Sequence, residues 1–211
     1  MAIINVAERE VTLKIVYWGP PLAGKTTNLE KLHDMVGAGN RGRLMTLSGT
    51  GDRTILFDLL PLYFQVSGLR VRIKVYTVPG QVAHQMTRRV VLRGVDGVVF
   101  VADSGSKQND ENLRAYRELC DTLQSTKQVA VVLTQFNKRD VLAPLSASAF
   151  GNEAVLEAVA ERGEGVMETF QAAVQASWDL LDVDAELQEQ FGVSSEQFRV
   201  ALAEHLRVGL E

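Results

Sequence analysis

Residues 19–28 read GPPLAGKTTN, and this stretch decides the fold. Two glycines and two prolines restrict the backbone. One lysine and two hydroxyls follow at once. Residues 19–26 fit the pattern G-x-x-x-x-G-K-[ST], which needs a strand before it and a helix after it. Both are legible. VTLKIVY (Val11 to Tyr17) is a strong strand signal, and an apolar-periodic segment from Lys25 to about Val36 reads as a helix. In that setting the glycines let successive N–H groups converge on a phosphate, and the helix N-terminus adds positive potential. Lys25 reaches the β- and γ-phosphates as a point charge, and Thr26 offers a hydroxyl to Mg²⁺, a hard cation. Gly19, Ala23, Gly24, Lys25, Thr26 and Thr27 are the candidate phosphate-binding set. The competing explanation is a glycine turn before an ordinary helix.

Outward from the loop, Gly37 to Arg53 is a long polar connection, a kind often functional in compact domains. Within it Leu44 to Leu47 can pair as a short strand. PLYFQVSGLRVRIKVYTVPGQ (residues 61–81) predicts a hairpin. Leu69, Val71, Ile73 and Val75 alternate there with Arg70, Arg72 and Lys74, so one face is buried and the other wet. The basic residues read as a solvated face, with a partner-binding stripe as the alternative. VDGVVFVAD (95–103) and VAVVLTQF (129–136) are near-continuous apolar runs, as expected of parallel strands buried on both faces. Between them lies a helix with Leu113, Tyr116, Leu119, Cys120 and Leu123 on one face, so Cys120 reads as core. A short strand is expected over Ala154 to Val159. A long helix follows, with Met167, Phe170, Val174, Trp178 and Leu181 as its buried stripe. Alternation of strands and helices predicts an α/β, mostly parallel, doubly wound sheet, with ligand sites at the carboxyl ends of its strands. From Asp182 onward a helical extension is expected. It starts from a Ser194–Gln197 capping box and carries Phe198, Ala201, Leu202 and Leu206 as a stripe.

The 211 residues suit one domain with an appendage, divided here as 1–182 and 183–211. A net charge of -4 argues against a nucleic-acid binder. The single cysteine permits no internal disulfide and fits a reducing compartment. Signal-peptide, membrane-span and lipidation patterns are not seen, so the expectation is a cytoplasmic protein without a membrane anchor.

Two further motifs narrow the ligand. Asn137-Lys138-Arg139-Asp140 stands at the end of the second apolar strand. There Asp140 can accept hydrogen bonds from guanine N1–H and its exocyclic amine, groups adenine does not offer at those edges. The stem of Lys138 can cover the ring, and Asn137 can tie this loop to the phosphate loop. The competing explanation is a polar loop. Thr77-Val78-Pro79-Gly80-Gln81 ends the hairpin. Gly80 can give its N–H to a γ-phosphate and Gln81 can orient an attacking water. A plain Pro-Gly turn is the alternative.

Over residues 10 to 182 or so, these pieces resemble a small Ras-like GTPase, and within that superfamily the MglA group of bacterial polarity and gliding-motility GTPases. The resemblance rests on KIVYWGPPLAGKTTNL, DRTILFDLLPL, YTVPGQV, LRGVDGVVFVADS and NKRD. It implies a P-loop small GTPase fold with one antiparallel hairpin strand, bound GTP or GDP, and Mg²⁺ held by Thr26 and Thr54. It implies that Arg53 acts as an arginine finger in cis and that the Ala160 N–H meets the guanine oxygen. Lys25, Arg53 and Gln81 would be the catalytic set. Hydrolysis would be slow and activator-dependent, switching segments 37–57 and 79–92. A roadblock-domain activator of the MglB type, polarity effectors and recruitment to a cell pole are also implied. Two departures stand out. Thr77 occupies a position where most small GTPases have aspartate, so one outer Mg²⁺ contact is weakened or remade. Ala83 and His84 follow Gln81 where bulkier residues are usual. The rival readings are a non-hydrolysing, guanine-nucleotide-gated scaffold and an ATPase in which Asp140 is structural. The tail reads most simply as a helix packed on its own domain, with a regulatory or oligomerising helix as the alternative.

Overall fold

The strand before the phosphate loop is the middle of the structure. A computed structural model describes residues 2–47, 57–79, 85–142, 144–145 and 155–206. Strand β1 (Ile3–Asn5) pairs antiparallel with the start of β2 (Glu10–Trp18). Helix α1 (Lys25–Met35) leads to the short strand β3 (Met45–Leu47) and then to the hairpin of β4 (Phe57–Val66) and β5 (Leu69–Thr77). Helix α2 (Gln85–Leu92), β6 (Gly97–Asp103), α3 (Asn109–Ser125), β7 (Val131–Asn137), β8 (Val155–Glu157) and α4 (Val166–Ala185) follow. Two further helices, α5 (Leu187–Phe191) and α6 (Ser195–His205), complete the order.

The sheet order is β3-β4-β5-β2-β6-β7-β8, with β1 on β2. The β2–β5, β2–β6, β6–β7 and β7–β8 pairings are parallel, and the β4–β5 hairpin is antiparallel. This is the mostly parallel α/β sheet with one antiparallel hairpin that the sequence implied. Period-two geometry sends alternate β2 side chains to opposite faces. Val11, Leu13, Ile15 and Tyr17 join the core under α1, α4, α5 and α6. Val16 and Trp18 join the second core with Val91, Phe100 and Leu119, under α2 and α3.

The hairpin register is as read: Leu69, Val71, Ile73 and Val75 are buried, while Arg70 and Arg72 are exposed. Two expectations need correction. Cys120 is exposed, not core. The buried face of α3 runs through Asn112, Ala115, Leu119 and Thr122, and at about 100° per residue Cys120 falls beside that face. The second apolar run is also less enclosed than expected. Val129 is exposed and precedes β7, and Val131, Val132 and Leu133 are only half-buried. The cause is the short edge: β8 pairs with Thr134 to Phe136, so among the described residues the start of β7 has no strand neighbour on that side.

The C-terminal helices share the main core. The capping box at Ser194 and Gln197 forms with both hydrogen bonds in place. Phe198 stacks on Trp178 of α4 with centroids 3.9 Å apart, and it also meets Phe64 of β4 at 5.5 Å. Leu187, Phe191, Val193, Ala201, Leu202 and Leu206 are buried in the same cluster.

Candidate functional site

The carboxyl ends of β2, β5, β6 and β7 face one edge of the sheet, and the singled-out residues gather there. The chain leaves β2 at Gly19 and enters α1 at Lys25. Gly19 has φ 153°, and a Cβ there would lie 2.2 Å from the Val101 carbonyl oxygen. Gly24 has φ 97°, and a Cβ there would lie 2.2 Å from Asn137 Nδ2. The first glycine is required by the neighbouring strand and the second by the guanine-loop candidate.

Lys25 is 6% exposed. Its Nζ donates to the carbonyls of Gly19 (3.0 Å) and Pro20 (2.7 Å). Burial lowers its pKa to about 8, with the positive charge of Arg88 adding to the effect. A buried cation at the N-terminus of α1, with no carboxylate paired to it among the described residues, is electrostatically suited to an anion, so the loop fits phosphate.

Asn137 joins the two motifs. Its Nδ2 donates to the Ala23 carbonyl at 2.8 Å, and its Oδ1 accepts the Ala160 N–H at 2.8 Å. Ala160 opens a short 3-10 turn and is buried. Lys138 has a left-handed backbone (φ 62°), and its ammonium pairs with Asp103 at 2.6 Å. Asp140 is exposed, with Oδ2 3.2 Å from an Arg162 nitrogen. Asp103 and Arg162 were not singled out from the sequence, since their partners are distant in the chain.

On the other side of the phosphate loop is a cleft of ≈ 420 Å³, lined by Lys25, Thr26, Thr27, Thr46, Asp58 and Thr77 among others. Thr26 is exposed to it and donates from Oγ1 to Asp58 Oδ2 at 2.8 Å. Thr77 Oγ1 donates to the same oxygen at 2.8 Å, and Thr46 Oγ1 donates to Oδ1 at 2.9 Å. Asp58 is a site residue that the sequence reading passed over. The signal was available: it occupies the buried phase of β4 with Leu60, Leu62 and Phe64, where a charge needs a reason. With hydroxyl and carboxylate oxygens at its rim, the cleft fits Mg²⁺, which Thr26 would hold beside the phosphates.

Thus Gly19, Ala23, Gly24, Lys25, Thr26, Thr27, Asn137, Lys138, Asp140 and Ala160 lie along one edge. Arg53, Thr54, Gly80 and Gln81 lie outside the described residues, as do Ala83 and His84. No helix among the described residues is long and apolar enough to cross a membrane.

The profile of the ADP-ribosylation factor family matches residues 1–183. The mutual gliding-motility protein MglA of Myxococcus xanthus (strain DK1622) is 38% identical over 186 residues, which cover 83% of this chain and 95% of that protein.

Proposed function

We propose that this chain, which belongs to the ADP-ribosylation factor family in the Ras/Arf superfamily of P-loop GTPases and is closely related to MglA, is a Mg²⁺-dependent GTP/GDP switch with slow intrinsic turnover. Family membership carries GTP binding and hydrolysis in general. The observation that supports the finer reading is the double hydrogen bond of Asn137, which locks Ala23 of the phosphate loop to Ala160 of the guanine loop.

In this reading the N–H groups of the 19–27 loop and Lys25 bind the β- and γ-phosphates. Asp140 accepts from guanine N1–H and the exocyclic amine, the stem of Lys138 covers the ring, and the Ala160 N–H meets the guanine oxygen. Thr26 and Thr54 would hold Mg²⁺, which would supply positive charge beside the phosphate oxygens. Gln81 orients the attacking water, Gly80 reads the γ-phosphate, and Arg53 and Lys25 offset charge that builds up in the transition state. Loss of the γ-phosphate releases the 37–57 and 79–92 segments.

Residues 1–182 form the nucleotide-binding unit and 183–211 its extension. By likeness to its relative, the switch acts in gliding motility and cell polarity, in the cytoplasm and at a cell pole, with a roadblock-domain activator of the MglB type and polarity effectors. The non-hydrolysing scaffold remains the second reading, because Thr77 places no charge at the end of β5. Phosphate release from GTP tests between them, with the cognate activator present. Turnover that falls about tenfold or more in Gln81→Ala, with GDP affinity retained, supports the switch. An absence of turnover supports the scaffold.

A further inference from the structure

The family resemblance expects an aspartate at the end of β5, and this chain has Thr77 there. The missing charge has a counterpart one strand away. We propose that Asp58, at the start of β4, supplies the carboxylate that orients Thr26 and the hydration shell of the nucleotide-bound Mg²⁺, with Thr77 as its hydrogen-bonded support. The inference rests on the reading of the site as a Mg²⁺·guanine-nucleotide site.

Topology makes the exchange feasible. The ligand edge of the sheet is where the parallel strands end. Strand β4 runs antiparallel to β5, so its first residues lie at the same edge as the last residues of β5. A carboxylate can therefore reach that edge from the end of β5 or from the beginning of β4. This sequence uses the second route.

Hydrogen bonding shows how closely the two positions are coupled. The Asp58 N–H donates to Thr77 Oγ1 at 3.0 Å, and Thr77 Oγ1 returns its proton to Asp58 Oδ2 at 2.8 Å. Thr77 is 3% exposed and Asp58 8% exposed, so both bonds are shielded from water. An aspartate at 77 would set two carboxylates against each other at hydrogen-bond distance, with no proton between them to share in place of the Thr77 hydroxyl. Threonine at 77 and aspartate at 58 form a consistent pair that aspartate at both positions would not.

The donors around Asp58 point to a cation. Thr26, Thr77 and Thr46 all spend their hydroxyl protons on its two oxygens. A hydroxyl has one proton and two lone pairs. With its proton fixed on Asp58, Thr26 turns oxygen lone pairs to the cleft, and lone pairs are what a hard cation takes. Among the described residues no lysine, arginine or histidine pairs with Asp58. Among the described residues this largely buried carboxylate is held by neutral donors, which leaves the cation position open to a partner in the cleft. Lys25, across the same cleft, is the complementary buried cation. One charge suits the phosphates and the other suits the metal.

A purely structural role, in which Asp58 only stitches β3 and β5 to the phosphate loop, predicts a different result. Asp58→Asn keeps the size and one acceptor oxygen of the side chain, turns the other oxygen into a donor, and removes the charge. The experiment follows release of a fluorescent GDP analogue during titration with MgCl₂. For each protein the release rate at each Mg²⁺ concentration is divided by the rate in EDTA, which removes a general loss of affinity. The expected result is a Mg²⁺ midpoint shifted upward by about tenfold or more in Asp58→Asn. An unchanged midpoint overturns the inference. Should Asp58→Asn not fold, the exchange Asp58→Thr with Thr77→Asp keeps one carboxylate in the cluster. A midpoint within about threefold of wild type then supports the inference, and one weaker by tenfold overturns it. Failure of the underlying reading is distinguishable, because wild-type protein would then bind no guanine nucleotide, and both claims would fall together.

Discussion

Asn137 donates to the Ala23 carbonyl at 2.8 Å, across 114 positions of sequence. The side chain is buried, and its oxygen is used by the Ala160 N–H. Removing it leaves a buried carbonyl and a buried N–H unpaired, at about 1–3 kcal/mol each. Asn137→Ala is therefore expected to lower guanine-nucleotide affinity by about tenfold to a hundredfold and to lower the melting temperature without nucleotide. Calorimetric titration with GDP and a thermal melt check both. Unchanged affinity would separate the two loops functionally.

Lys25 gives a pH prediction. In the folded chain its pKa is about 8, below the ordinary lysine value of 10.5, because burial disfavours the ammonium. The unfolded chain therefore holds more protons between these values, and stability rises with pH through that window. Below pH 8 the penalty is full, roughly 3 kcal/mol. Lys25→Met without nucleotide should be more stable than wild type at pH 7 by up to about this amount, with the gap closing above about pH 10. The same variant should lose most of its nucleotide affinity. Urea melts across pH measure the first effect. A gap independent of pH would contradict it.

Among the described residues Asp140 is held at its edge by Arg162 at 3.2 Å, and its side chain is exposed. Asp140→Asn should leave the fold intact. As an amide it can donate as well as accept, so it should lose guanine and gain xanthine, which carries an oxygen in place of the exocyclic amine. A loss of at least about a hundredfold for GDP is expected, near 3 kcal/mol. Competition between GDP and XDP measures it.

Phe198 stacks on Trp178 and touches Phe64, so the last helices complete the main core. Phe198→Ala should cost about 3–5 kcal/mol. Truncation after Asp182 should lower the melting temperature and move Trp178 emission toward that of solvated indole. A truncated chain that melts like the full one would argue that α5 and α6 contribute nothing to stability.

The sequence made the phosphate loop, the hairpin register and the central strands legible, because each is encoded within about ten residues by period, glycine placement and motif. Cys120 was misjudged because a helical stripe has width, and only the packing of α3 on β6 fixes its centre at Leu119. The start of β7 was misjudged because burial there depends on how far β8 extends. Asp58 was passed over for a related reason. Its three hydroxyl partners come from α1, β3 and β5, and nothing local in FDLLPL brings them together. The pairings of Lys138 with Asp103 and Asp140 with Arg162 likewise join residues 35 and 22 positions apart.

The central claim is that the edge formed by the phosphate loop and the Asn137–Asp140 loop holds a guanine nucleotide. The most direct test is to purify the protein without added nucleotide, denature it, and identify by chromatography what is released. The account predicts GDP or GTP. Release of an adenine nucleotide would contradict it.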